Sequence, residues 1–376
     1  MDVSARGNSC FDRNNFGASA PWSFAGRPWL RAHRGQSLSH FDFGRQRHCP
    51  LAGGSFHQKA ACPTAAPRER LGGDVVGRGL LGRLPVIKPA EKLTTSSSRP
   101  GHATLEIQFV AGQSAVVSAR SANPLKLLAP RARGESVWAF TSSFGGGLVA
   151  GDQTQLDLQV GAGSRCFLGT QASTKVYRNP RLQPCGHVTH ARIGTDGLLV
   201  FAPEPVQPFA DSSYVQRQDF RLAAGASLVF VDWFTAGRTA RGEEWQFRRL
   251  QTRNSVYLEK GGGDGFRDEL AFIDSVLLRP DDGPIGGQHR VGRYRCFALV
   301  LFLGPKVASM AEVIQGEVAG QAVGHEAPLL AGASPVRDGV VLRLAGTEVE
   351  SVTREIRRHL APLRALLGDD PWSRKW

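Results

Sequence analysis

Two carboxylates in the 376-residue chain sit where a carboxylate is costly. Asp232 interrupts the apolar run Leu228-Val229-Phe230-Val231-Asp232-Trp233-Phe234, and Asp274 does the same in Leu270-Ala271-Phe272-Ile273-Asp274-Ser275-Val276-Leu277-Leu278. Burying an ionised carboxyl is unfavourable unless it is paired, hydrogen-bonded or bound to a cation. An ion pair with an arginine such as Arg238 or Arg241 is the simpler explanation; a polar site or passage inside the domain is the sharper one. Cys185-Gly186-His187-Val188-Thr189-His190 carries metal-ligating residue types. On a strand Cys185 and His187 share a face while His190 points the other way, so at most two ligands converge locally. A structural zinc site wants four, which favours an ordinary strand.

Gly145-Gly146-Gly147-Leu148-Val149-Ala150-Gly151-Asp152 is the densest glycine cluster. A phosphate loop needs its glycines at the start of a helix, with Lys-Ser/Thr following in the nucleoside triphosphatase version. Here the next residues alternate as a strand and no lysine follows, so the glycines serve backbone geometry rather than a nucleotide. Gly261-Gly262-Gly263-Asp264-Gly265 reads as a loop tip for the same reason. There is neither a GxSxG elbow nor an HExxH pair, which argues against hydrolase and zinc-protease chemistry.

The elements that must position these residues are mostly strands. From Gly101 onward, short alternating runs are broken by Gly and Pro at roughly 8 to 12 residues, the texture of an all-β domain. Thr104–Phe109 and Ser114–Ala119 form a hairpin around Ala111-Gly112-Gln113. Further strands are expected at Gln155–Val160, Arg165–Leu168, His187–Ile193, Leu198–Phe201, Tyr214–Leu222, Ser227–Phe234, Glu244–Leu250 and Asn254–Glu259. Two helices are expected from apolar residues recurring every 3 or 4 positions: Val307, Met310, Ile314 and Val318 in one, Val349, Val352, Ile356, Leu360 and Leu363 in the other. Thr347 and Glu350 have the spacing of a capping box for the second. The fold class is therefore mainly β, one large domain of many short strands with two helices.

The chain carries 46 Lys+Arg against 33 Asp+Glu, a formal +13 that invites a nucleic-acid partner. Its distribution argues otherwise. Residues 1–99 hold 15 basic and 6 acidic residues, leaving 31 against 27 for the remainder. That first segment is rich in Arg, Gly, Ser and Pro without period 2 or 3.6, and reads as a basic, disordered extension. The expected division is 1–99, then a β-rich domain at 100–368, then a short tail at 369–376. The longest apolar runs fall far short of the ~20 residues a membrane helix needs, and the first thirty residues have no apolar core of a secretory signal. A cytoplasmic protein is expected.

Taken in order, Ser143–Asp152 (SFGGGLVAGD), Thr170–Tyr177 (TQASTKVY), Pro203–Phe209 (PEPVQPF) and Gly237–Glu243 (GRTARGE) resemble the D-type urease accessory proteins, the UreD (UreH) family, over about residues 101–366. The resemblance implies a helicoidal stack of strands and a maturation factor that is not itself an enzyme. It implies binding to the F-type accessory protein and, through it, the G-type GTPase, with docking on apo-urease to deliver nickel to the dinuclear site. No tightly bound cofactor is implied, only nickel in transit. Matched residue by residue, a passage for nickel would use Asp152, Thr174, Asp232 and Asp274. Gly145, Gly146, Gly151, Lys175, Glu204, Pro208, Phe209, Gly237, Arg238, Gly242 and Glu243 lie in the same motifs and carry structural or interface roles. The competing expectation is an unrelated β-rich binding module, or a nucleic-acid binder using the basic N-terminus. A chain lacking residues 1–99 discriminates: undiminished urease activation is expected, and its loss would give the extension an essential role.

Overall fold

The computed structural model describes residues 99–131, 134–260, 267–324 and 326–373. The expected disordered extension lies outside them. The expected hairpin forms from β1 (His102–Val110) and β2 (Gln113–Ser121), and is followed by β3 (Leu125–Leu128). From there the chain winds as a coil. The first turn of the coil is β4 (Val137–Ser143), β5 (Gly147–Leu148) and β6 (Gln153–Val160). The second is β7 (Arg165–Thr170), β8 (Thr174–Val176) and β9 (Cys185–Ile193). The third is β10 (Leu198–Phe201), β11 (Val206–Pro208) and β12 (Ser213–Leu222). The fourth runs through β13 (Ser227–Thr235), the small hairpin β14 (Gly237–Arg238) and β15 (Glu243–Glu244), and β16 (Arg249–Lys260). Equivalent strands stack in parallel at a repeat of about thirty residues, the arrangement of a solenoid.

Two long sheets result, with the short strands β5, β8 and β11 forming a narrow third face. The first sheet has the order β17-β16-β12-β9-β6-β1-β2, where β17 (Arg267–Leu278) closes one edge antiparallel to β16. The second extends from β13 through β18 (Cys296–Leu303), after which α1 (Ala308–Ala319) leads to β19 (Leu329–Val336) and β20 (Gly339–Gly346). The chain finishes with α2 (Val349–Leu360) and a one-turn helix, α3 (Arg364–Leu367).

The corners that carry the chain from the first sheet to the second explain part of the glycine content. Gly163, Asp196 and Gly225 take φ of 67°, 55° and 68° in three successive corners. The corners stack directly, with Gly163 N–H donating to the Thr195 carbonyl at 2.9 Å and Asp196 N–H to the Ala224 carbonyl at 3.1 Å. A Cβ on Gly194 would stand 2.8 Å from the Ala162 nitrogen, so that position tolerates no side chain.

Between the sheets lie Leu105, Ile107, Leu156, Leu158, Leu168, Phe201, Phe220 and Phe230. The other face of the second sheet packs Trp138, Phe167, Val200 and Val229 against Ala311, Ile314 and Val318 of α1 and Val352, Ile356 and Leu360 of α2. β13 is thus covered on both faces and buried along its whole length, which is why it reads as an apolar run rather than an alternation. Trp372 stands edge-on to Phe167 at 5.2 Å, so the described residues after α3 stay packed on the domain.

Two local expectations fail. The capping box does not form, because Thr347 uses both its N–H and its hydroxyl on the Pro328 carbonyl at 2.9 and 3.3 Å, leaving Glu348 as the N-cap. Glu244–Leu250 is not one strand. Trp245 takes φ of 58° so that its ring and that of Phe247 turn into the interior, and β16 begins only at Arg249. Phe230 is fully buried against Phe220 and Phe201, so Phe230→Ala should lower the unfolding free energy by about 3–5 kcal/mol. Val117→Ala, at a position 50% exposed, should change it by less than about 0.5 kcal/mol; urea denaturation measures both.

Candidate functional site

The parallel register of the first sheet sorts its inward side chains into rows. Leu158, Ala191, Phe220 and Val256 form an apolar row, and Cys185, Tyr214 and Leu250 another. Between them run two polar rows, Thr154-His187-Gln216-Thr252 and Thr189-Gln218-Asn254-Asp274. Asp232 faces them from the second sheet. Its Oδ1 accepts a hydrogen bond from Gln216 Nε2 at 2.8 Å and its Oδ2 one from Asn254 Nδ2 at 2.7 Å. Those amides are oriented in turn, Gln216 by the Tyr214 hydroxyl at 2.9 Å and Asn254 by Gln218 Nε2 at 3.1 Å.

The expected ion pair is absent: both Asp232 oxygens are held by neutral amide donors. Arg238 is committed elsewhere, to Glu243 and the Phe209 ring, and Arg241 is exposed in a turn. Burial pushes the Asp232 carboxyl above its usual range, against the bonds from Asn254 and Gln216, and the negative field of Asp274 adds to the rise.

This polar band lines a cavity of about 100 Å³, room for a few water molecules. Gln216, Gln218 and Asp232 lie at its buried end. Ser142, Ser143, Gly146, Ser173, Thr174 and Glu204, all partly or fully exposed, line its mouth on the third face. The Glu204 N–H donates to the Thr170 hydroxyl at 2.8 Å, bracing two of the mouth loops.

Beside the mouth the four sequence motifs stack as a column, one coil upon the next. A Cβ on Gly147 would lie 2.7 Å from the Tyr177 ring; the Tyr177 ring meets Phe209 edge-on at 5.3 Å; and the Arg238 guanidinium covers Phe209 at 4.0 Å. Arg238 Nε donates to Glu243 Oε2 at 2.9 Å and lowers the Glu243 carboxyl pKa, while the same oxygen accepts the Ala210 N–H at 3.1 Å. Gly237, at φ of 116°, sits against the carbonyls of Glu243 and Pro208, where a Cβ would come within 2.5 and 2.8 Å. Lys175 pairs through its backbone with both Gly147 and Gln207 and leaves its side chain exposed. Gly145, Gly146, Gly151 and Gly242 all adopt positive φ in the bordering turns.

Of the four residues expected along a passage, Thr174 and Asp232 meet in this cavity. Asp152 does not line it; its Oδ2 accepts the Val149 N–H at 2.9 Å and holds the glycine turn. Asp274 continues the second polar row beside Asn254 but pairs with Arg343 at 3.0 Å. Among the described residues no three His, Cys, Asp or Glu side chains are grouped to hold a metal. Cys185 is buried in an apolar cluster with its thiol pushed up to about 12, and His190 lies on the outer face, 3.0 Å from Asp157.

His187, read as part of an ordinary strand, lines the cavity. The signal was the alternation Cys185, His187, Thr189 and, on the adjacent strand of the next coil, Tyr214, Gln216, Gln218: same-face polar residues in strands that otherwise bury that face. The ring is only partly covered by area because it borders the cavity, yet it is deep in the fold, and burial pushes the imidazole down to about 4 from 6.5. A depressed folded pKa means that the unfolded chain takes up the extra proton first. Wild-type stability relative to His187→Gln should therefore be constant above the unfolded pKa and decline as pH falls from 6.5 towards about 4. Urea denaturation of both chains across that range measures the difference, and a pH-independent gap would contradict it.

A family model described as UreD urease accessory protein matches residues 99–376. A urease accessory protein UreD from Sorangium cellulosum is 40% identical over 322 residues, covering 83% of this chain and 99% of that protein. One from Anaeromyxobacter is 41% identical over 276 residues, 73% of this chain and 90% of the relative. The similarity reaches plants: urease accessory protein D of Oryza sativa subsp. japonica is 34% identical over 313 residues, 75% of this chain and 98% of the relative. With its stacked coils, its motif column and relatives aligned along nearly their whole lengths, the chain belongs to the UreD family of urease accessory proteins.

Proposed function

We propose that this chain is a maturation scaffold that catalyses no reaction itself. With the F-type accessory protein and the G-type GTPase it docks on apo-urease in the cytoplasm and assists delivery of nickel to the dinuclear site. The observation that carries the nickel part of this reading is Asp232, a buried carboxylate held by amides instead of a cation, at the end of a polar cavity that opens beside the motif column. A guanidinium in that position would neutralise the carboxylate and occupy it. Amide donors fix its orientation and leave the negative charge available to a passing divalent ion.

The lining suits transfer better than storage. Carboxylate, hydroxyl and amide oxygens bind a borderline cation such as Ni²⁺ more weakly than thiolate or imidazole cages do, so the ion can leave as well as enter. Thr174 and Glu204 at the mouth and Asp232 at depth supply such oxygens in series. Nickel is cargo here, not a resident cofactor. The glycine cluster leads into β6 rather than a helix N-terminus, which supports assigning GTP binding to the G-type partner. Among the described residues no helix is long and apolar enough to cross a membrane.

Co-expression of the urease subunits, the other accessory proteins and nickel, with and without this chain, tests the scaffold role through urease activity and nickel content. Both should depend on the chain. Asp232→Asn keeps the size of the side chain and removes its charge; it should lower nickel loading severalfold while the variant still co-purifies with its partners. Full loading by that variant would overturn the passage through this cavity.

A further inference from the structure

A lining of oxygens alone does not distinguish nickel from magnesium, since carboxylates, hydroxyls and carbonyls serve Mg²⁺ and Ca²⁺ equally well. His187 is the one described side chain on the cavity wall that can offer a nitrogen lone pair. Resting on the nickel-passage reading, we infer that the His187 imidazole is a second, transient ligand beside Asp232 and gives the cavity its preference for nickel over magnesium.

The hydrogen bonds assign the lone pair to one of the two ring nitrogens. The Thr154 hydroxyl lies 3.1 Å from the Gly186 carbonyl and 2.8 Å from His187 Nδ1. Its single hydrogen goes to the carbonyl, which can only accept. Thr154 Oγ1 therefore accepts from Nδ1, so Nδ1 carries the proton and Nε2 the lone pair. This is the arrangement of metal-binding histidines, in which the non-ligating nitrogen donates to a neighbour that sets the tautomer and the ring orientation. Nε2 faces the Thr189 hydroxyl at 3.0 Å. An incoming cation exchanges that one hydrogen bond for a metal–nitrogen bond. The proton stays on Thr189, and the lost bond makes the ligation weaker than at an unencumbered imidazole.

The carboxylate is close by. His187 and Gln216 are register partners on adjacent parallel strands, which run about 4.8 Å apart. The Gln216 amide is the group that donates to Asp232 Oδ1 at 2.8 Å. Imidazole and carboxylate thus flank one glutamine at the buried end of the cavity. Imidazole favours nickel, zinc and copper over magnesium and calcium, so adding it to an oxygen lining changes selectivity more than capacity.

His187→Gln replaces the nitrogen ligand with another amide oxygen. In the complex co-purified with its partner proteins, equilibrium dialysis against Ni²⁺ with increasing Mg²⁺ should show nickel affinity reduced about tenfold and magnesium competing at lower concentration than for wild type. Thr189→Val, which removes the competing hydroxyl while keeping the shape, should bind nickel more tightly; it also serves if the glutamine variant does not fold. Wild-type nickel-to-magnesium discrimination in His187→Gln, or unchanged nickel affinity in Thr189→Val, overturns the ligand role. If Asp232→Asn still fails to load urease in that case, the passage reading stands without it; if that variant loads normally, both fall.

Discussion

Parallel register between successive coils is the constraint on which the rest of this protein depends. Each strand of the first sheet is hydrogen-bonded to the equivalent strand of the coil before and after it, so inward side chains fall into rows that cross the sheet. A slip of one residue would exchange inside for outside along a whole strand. The rows are therefore as well defined as the backbone, and a row can be polar only if every coil contributes a polar residue at the same height. Thr154, His187, Gln216 and Thr252 meet that condition through all four coils; Thr189, Gln218 and Asn254 meet it over three, with Leu156 at their height in the first coil and Asp274 of the antiparallel β17 beyond them. The corners reinforce the register, because Gly163, Asp196 and Gly225 take positive φ in successive turns that hydrogen-bond one to the next.

Within that frame the interior carries two kinds of surface. Most of it is apolar, and the aromatic rings of Phe201, Phe220 and Phe230 fill the space between the sheets. The polar rows sit at one end, toward the third face, where the strands are shortest and the loops leave an opening. A buried carboxylate is tolerated there because two oriented amides satisfy it, and each amide is held by a further side chain. Half-satisfied networks of this kind destabilise a core, whereas fully connected ones rigidify it. The network thus holds both Asp232 oxygens in place against the burial that raises its pKa, and the same four side chains orient the carboxyl.

The motif column beside the mouth answers a different need. Tyr177, Phe209, Arg238 and Glu243 come from three successive coils and clamp the third face, whose strands β5, β8 and β11 are short. The motif residues Arg238 and Glu243, expected to carry structural or interface roles, satisfy each other here. The residues that line the cavity are less distinctive in type: threonines, serines and glutamines that recur in any β protein.

The sequence by itself determined the class of fold and most of its strands, because alternation and glycine punctuation are local properties read directly from the order of residues. It also singled out Asp232, since an acid within an apolar run is anomalous in any fold. What it could not determine was what surrounds that acid. Gln216, Asn254 and His187 come from three different coils, each unremarkable in its own strand, and only the stacking brings them into two adjacent rows. Asp274 interrupts an apolar run as Asp232 does, and Asp152 is expected on the same passage, yet both are committed to other partners, Arg343 for one and a turn N–H for the other. The environment of a side chain in a solenoid is set by residues about one repeat away, some thirty positions distant, and that distance lies beyond the reach of any local pattern.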